Sequence, residues 1–312
     1  MLYTITCNPA LDYVVHLDDV QLGAVNRIQK DSVQYGGKGI NVSRMLKELG
    51  MDSVALGFVA GFTGRALEQG LRELGLHTDF VRMETGLTRI NVKIKSREES
   101  ELNGSGPTPT EEDLAVFWSK LDAIQKDDWV VLSGSCPKRL PQDFEKQILE
   151  HLHEKQVHTI LDTTGERLKQ GCQAHPFLIK PNRQELEEIC GYPVSTWELC
   201  VQAAQELQKL GARNVLVSNG AEGAILLDEQ GNCFQQDAAQ GQVCNSVGAG
   251  DSMVAGVLTG LLKTEHWNTA LCLGAAAGGA TAFAEGIGTY EVVKELYTQL
   301  RHGRMEVLPW IF

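Results

Sequence analysis

At 312 residues, 43% hydrophobic and 22% charged, the chain suits one large α/β domain with an insertion, or two small domains. Its net charge of −12, from 28 basic against 40 acidic residues with no Lys/Arg run, argues against a nucleic-acid partner, because gripping a phosphate backbone needs a basic face. No stretch approaches the roughly 18–20 apolar residues of a membrane span, so no membrane association is expected.

The N-terminal MLYTITCNPALDYVVHL has neither a basic n-region nor a long apolar h-region, so no signal peptide is expected and the expected location is the cytoplasm. Eight cysteines (Cys7, Cys136, Cys172, Cys190, Cys200, Cys233, Cys244, Cys272) are scattered without a C-x-x-C. They read as reduced, buried thiols packing as small hydrophobes, with no support for zinc.

In chain order, YTITC (3–7) reads as a strand. GINVSRMLKELG reads as a helix, with Val42, Met45, Leu46 and Leu49 on one face and Gly50 as its stop. VALGFV (54–59) is strand-like. The stretch 13–33 lacks helical periodicity, and TRINVKIK (88–95) alternates Ile90, Val92 and Ile94 against Arg89, Asn91, Lys93 and Lys95, as a two-faced strand does. These two segments, about 13–33 and 88–106, are expected to form a small β-sheet lid whose apolar face needs a cover, such as a second subunit. NGSGPTP (103–109) then leads to a helix starting near Glu111.

Further on, WVVLS (129–133), HTILD (158–162), FLIKP (177–181) and NVLVS (214–218) read as buried strands. Helical stretches at about 142–156, 183–190 and 197–210 separate them. The alternation implies a three-layer, doubly wound, mostly parallel sheet with ligands beyond the strands' carboxyl ends.

Several familiar sites are missing. There is no phosphate-binding G-x-x-x-x-G-K-[ST], no G-x-G-x-x-G after a strand and no G-x-S-x-G. A nicotinamide dehydrogenase is thereby disfavoured. The histidines of HEKQVH (153–158) are spaced one position too widely to share a helix face, and both read as solvated.

Four short motifs remain. NSVGAGDS puts Gly248, Ala249 and Gly250 before Asp251 and a helix from about residue 252 with Val254, Val257, Leu258 and Leu261 buried. Its open amides and dipole make an anion site. Asp251 reads either as a helix cap or as a general base beside that site. GGKGINVSR offers Gly37, Lys38 and Asn41. In KPNRQEL, Asn182 and Glu185 have the spacing of a capping box. SNGAEG (218–223) is a glycine turn at a strand end, or a simple hairpin.

In this order, GG-x-G-x-N, K-P-N-x-x-E, S-x-G-x-x-G and G-A-G-D resemble the ribokinase-like (PfkB) carbohydrate kinases over essentially the whole chain. NSVGAGDS, GGKGINVSR, TCNPALD and TRINVK are similar to the hexose-phosphate branch, which includes 1-phosphofructokinases and tagatose-6-phosphate kinases. RINVKIK…SELNGSGP and ALGFVAGFTG are most similar to the 1-phosphofructokinases. Asn245-Ser246 stands where many members have Asp-Thr.

The resemblance implies ATP and Mg²⁺ and the reaction fructose 1-phosphate + ATP → fructose 1,6-bisphosphate + ADP, with tagatose 6-phosphate or fructose 6-phosphate as alternative substrates. It implies Asp251 as the base and Gly248, Ala249 and Gly250 as the anion hole. Asp12, placed at the end of the first strand, would hold sugar hydroxyls together with Gly37 and Asn41. Lys38, Arg27, Arg89 and Arg139 are candidates for the phosphate already on the sugar. Lys180, Asn182, Ser218, Gly220, Ala221, Glu222, Gly223, Gly250 and Gly279 would contact nucleotide, and Asn182 and Glu185 would organise Mg²⁺ through water. A non-catalytic sugar-phosphate sensor on the same fold could dispense with Asp251 or the glycines, and this chain keeps both. A homodimer through the lid is expected.

Overall fold

A computed structural model describes residues 1–137 and 139–301. In chain order the strands are β1 (Leu2–Thr6), β2 (Ala10–His16), β3 (Lys30–Gly36), β4 (Val54–Ala60), β5 (His77–Thr78), β6 (Val81–Met83), β7 (Arg89–Lys95), β8 (Ser100–Asn103), β9 (Trp129–Ser133), β10 (His158–Asp162), β11 (Leu178–Ile179), β12 (Asn214–Ser218), β13 (Ala224–Leu227) and β14 (Cys233–Gln236). The helices are α1 (Lys38–Glu48), α2 (Gly61–Glu73), α3 (Glu111–Asp122), α4 (Phe144–Glu154), α5 (Gly165–Cys172), α6 (Arg183–Cys190), α7 (Trp197–Leu210), α8 (Ala249–Thr264), α9 (Trp267–Ala282) and α10 (Tyr290–Arg301).

The main sheet runs β14-β13-β12-β11-β10-β9-β1-β4-β5, with β6 also on β4. It is parallel from β12 to β5, and the β12–β13 and β13–β14 pairs are antiparallel. The period-2 pleat sends alternate residues into two cores. Val130, Leu132, Leu161, Val215 and Val217 join residues of α3 to α7 on one face. Val131, Ile160, Leu178 and Leu216 pack with α1, α8, α9 and α10 on the other. Continuous apolar strands therefore mark a sheet covered on both sides, which makes three layers. Packing of α8 on α9 is close because both carry glycine at the crossing: a Cβ on Gly256 would lie 2.6 Å from the Leu273 carbonyl.

A separate four-stranded sheet, β3-β2-β7-β8, forms the lid. Its first segment starts at Ala10 and ends at Gly36, wider than the 13–33 stretch, because Ala10 and Leu11 already pair with β3 and β7. At its base the lid packs Leu11 and Tyr35 into a core with α1 and α2; beyond that its polarity is the reverse of a sheet resting on a core. Asp12, Asn91 and Lys93 share the face that turns inward. Ile90, Val33 and Leu102 share the opposite face and are 43%, 56% and 61% exposed.

The cysteines divide. Cys7, Cys136, Cys172, Cys200 and Cys272 are buried as expected, Cys190 is intermediate, and Cys233 and Cys244 are exposed on the edge strand and a loop. His158 is half-buried rather than solvated, stacked on Trp129 at 4.5 Å between ring centroids. Among the described residues no helix is long and apolar enough to cross a membrane.

Candidate active site

Three adjoining cavities lie where the lid meets the carboxyl ends of the main strands. The central one, about 500 Å³, is lined by Asp12, Asn41, Asn91, Lys93, Asp162, Lys180, Asn182, Glu185, Gly250 and Asp251 among others. A second, about 840 Å³, shares Gly37, Lys38, Arg89 and Asn103 with it. A third, about 420 Å³, shares Ser218 and Gly250.

Asp251 is 5% exposed and sits in the first turn of α8. The helix begins at Ala249, earlier than the expected residue 252. Gly248 holds the N-cap position with φ +83°, a left-handed conformation that suits glycine. Asp251 is therefore not the cap. Its Oδ2 instead accepts a 2.8 Å hydrogen bond from Asn41 Nδ2, across from α1. The Ala249 amide donates to the Ser246 carbonyl and the Ser252 amide to the Gly248 carbonyl. Among the described residues no acceptor takes the Gly250 and Asp251 amides, so these are the turn's open donors.

Burial pushes the Asp251 carboxyl up to about 6, and the nearby Asp162 carboxylate adds to the rise; Asn41, Lys38 and Lys180 pull the other way. Lys38 is raised. Burial works against its charge, but Asp162, Asp251 and Glu185 outweigh it.

Asp12 does not end the first strand; it is the third residue of β2, inside the lid. Asn91 Nδ2 donates to its Oδ1 at 2.8 Å, and Lys93 Nζ lies 3.3 Å from Oδ2. The Asn91 amide oxygen accepts from the Gly104 backbone, which fixes the rotamer that serves Asp12. Arg89, the first residue of β7, donates Nε to the Asn8 carbonyl at 3.0 Å. The residue lines both the central and the second cavity.

Asn182 and Glu185 form the capping box their spacing suggests. Asn182 Oδ1 accepts from the Glu185 amide and Glu185 Oε2 from the Asn182 amide, each at 2.8 Å. Both still line the central cavity, and nothing described donates to Glu185 Oε1. SNGAEG is a hairpin connection between antiparallel β12 and β13. It is also a cavity wall: Ser218, Gly220, Ala221 and Gly223 line the third cavity with Gly279. Gly223 has φ +96°, and a Cβ there would meet the Gln236 carbonyl at 2.1 Å.

Three predicted residues lie apart. Arg27 sits in residues 21–29, all exposed on the connection between two lid strands, and lines none of the three cavities. Arg139 is exposed on the loop after β9 and also lines none. Glu222 points out of the third cavity to accept from Asn219 Nδ2 at 2.8 Å, with Arg183 3.4 Å away.

Sequence reading missed Asp162, Asn91 and Lys93. Asp162 had one visible signal, an acid closing an apolar strand in HTILD. Asn91 and Lys93 were read as the polar face of a lid strand, and only the lid's inverted polarity turns that face to the cavity. The apolar wall of the third cavity (Ala239, Val243, Met253, Phe283) carries no local signature.

A family model described as pfkB family carbohydrate kinase matches residues 6–292. A 1-phosphofructokinase of Bacillus subtilis (strain 168) is 43% identical over 305 residues, 98% of this chain and 100% of that protein. A D-tagatose-1-phosphate kinase of Bacillus licheniformis is 37% identical over 96% of this chain and 99% of that protein. Among solved structures, phosphofructokinase-2 of Escherichia coli in complex with substrates and products superposes with a TM-score of 0.90 at 26% identity, covering 96% of this chain and 99% of that one.

Proposed function

The chain belongs to the pfkB family of carbohydrate kinases, and from that premise we propose that it is a phosphotransferase moving the γ-phosphoryl group of ATP to the C6 hydroxyl of fructose 1-phosphate. The observation that carries the mechanism is Asp251, a buried carboxylate lining the central cavity, directly after Gly250, which the central and third cavities share. Sugar phosphate fits the central cavity, its hydroxyls against Asp12, Asn41 and Gly37 and its phosphate against Lys38 and Arg89. ATP fits the third cavity, its phosphates reaching Gly250.

Phosphoryl transfer is chiefly positioning and charge stabilisation. Asp251 takes the proton of the C6 hydroxyl, and the Gly250 and Asp251 amides face the charge on the transferring group. Mg²⁺ keeps much of its water shell. That suits Glu185 Oε1 and Asn182 as partners through water, with no cluster of three or more metal-ligating side chains among the described residues. When bound, the ion would neutralise phosphate charge.

The relatives named above frame the substrate test. Tagatose 1-phosphate is the C4 epimer of fructose 1-phosphate and also presents C6–OH, whereas fructose 6-phosphate and tagatose 6-phosphate present C1–OH. ADP release measured on all four sugars is expected to give the highest kcat/KM with fructose 1-phosphate. A higher value with any of the others reassigns the substrate.

The exposed apolar outer face of the lid, with Val33, Ile90 and Leu102, supports a homodimer formed through that face. Analytical ultracentrifugation should show a dimer that Leu102→Glu converts to monomer. A monomeric wild-type protein overturns this assembly.

A further inference from the structure

We propose that Asp162, at the carboxyl end of β10, is a positioning residue that draws Lys38 and Lys180 onto itself and so keeps both lysines from pairing with the base, Asp251. The inference rests on the kinase reading above. Asp162 is 1% exposed. Its Oδ1 lies 3.1 Å from Lys38 Nζ and 3.5 Å from Lys180 Nζ. The two lysines come from different elements, the first residue of α1 and the residue after β11. Lys180 reaches the base's own turn, since a Cβ on Gly250 would lie 3.2 Å from its Nζ.

Asp251 is nevertheless held by a neutral amide, Asn41, and among the described residues no Lys or Arg makes an ion pair with it. Asp162 Oδ2 is buried without a hydrogen-bond partner. The carboxylate thus spends its one engaged oxygen on two ammonium groups. Asp162, Lys38 and Lys180 form one ion cluster beside Asp251, with Glu185 also acting on Lys38. Removing the Asp162 charge frees both lysines from their close anionic partner, and Asp251 is then the carboxylate onto which one of them would collapse. A base locked in an ion pair accepts a proton poorly, and a Lys38 turned toward it no longer meets the phosphate already on the sugar.

The charged and titratable groups around Asp251 are Lys38 on α1, Asp162 on β10, Lys180 after β11, Glu185 on α6, and Asp12, Arg89, Lys93 and Glu101 on the lid. Asp162→Asn keeps the shape and removes only the charge. With fructose 1-phosphate and ATP, kcat should fall by about 10–100-fold, the loss expected when a reacting group is displaced. The acid limb of the kcat/KM pH profile should move to lower pH, because Asp162 raises the proton affinity of Asp251. A role confined to folding would not move that limb. A turnover within about twofold of wild type and an unmoved acid limb overturn the proposal.

A second measurement needs no turnover. In ¹⁵N-lysine-labelled wild type, with the signal assigned through Lys38→Arg, Lys38 Nζ should titrate above the ordinary lysine range. In Asp162→Asn it should titrate lower. If Asp162→Asn does not fold, a wild-type Lys38 titrating at or below that range overturns the proposal by itself. Failure of the kinase reading shows separately, as wild-type protein that releases no ADP with any of the four sugars.

Discussion

Asp251→Ala is expected to lower kcat by about 10²–10⁴-fold, the contribution typical of a positioned general base, while ATP binding measured by calorimetry stays near wild type. The hydroxyl to be phosphorylated is a poor nucleophile until its proton is drawn away, and Asp251 is the acid of the central cavity that belongs to α8's first turn, its carboxylate held by Asn41. The ATP site proposed above lies mainly in the third cavity, which Asp251 does not line. The pH dependence follows from the raised carboxyl. Only the ionised form accepts a proton, and with the group pushed up to about 6, activity should be lost as pH falls through about 6. The stability consequence has the opposite sense. A folded-state value above the unfolded one means that the folded protein carries a burial penalty once the group ionises. That penalty is absent below about 4, near the ordinary value, and is fully present above about 6. Ligand-free Asp251→Asn should therefore melt higher than wild type at pH 8, with the difference fading toward pH 4. Turnover by Asp251→Ala within tenfold of wild type would remove Asp251 as the base.

What could be read from the sequence followed distance along the chain. Gly248 to Asp251 form one turn, so their chemistry is visible in four consecutive letters, and the capping box of Asn182 and Glu185 is visible for the same reason. The strands of the main sheet announce themselves because both faces are buried, making continuous apolar runs such as WVVLS. The Asp162–Lys38 pair spans 124 positions and leaves no local pattern. Asp12 and Asn91 are joined only by the β2–β7 register, so the true place of Asp12 depended on knowing that the chain leaves the main sheet after Thr6. The lid's apolar stripe was legible as alternation, with a cover such as a second subunit expected for it, but that the polar face sets Asn91 and Lys93 on Asp12 was not. An alternating strand does not say which face meets a core, and here the polar face turns inward over the cavity. Arg27 and Arg139 look like Arg89 as letters. Only Arg89 stands at the start of a strand that carries it to the cavity wall.

That placement makes Arg89 the sharpest test of how the sugar phosphate is held. Arg89→Ala should raise KM for fructose 1-phosphate by about 10–150-fold, corresponding to the ~1.5–3 kcal/mol of hydrogen bonding to a charged group. KM for ATP should stay within about twofold, as expected for binding lost at one substrate only. The asymmetry arises because Arg89 lines the central and second cavities but not the third. The Nε bond to the Asn8 carbonyl anchors the guanidinium to the loop after β1, so the side chain need not be ordered by the ligand and little entropy is lost on binding. Arg89→Lys keeps the charge but loses both the anchor and the planar fork. It should therefore recover only part of the affinity, whereas full recovery by lysine would mean that charge alone matters. Equal rises in KM for sugar and nucleotide would place Arg89 at the transferring phosphoryl group, and the phosphate already on the sugar would then fall to Lys38.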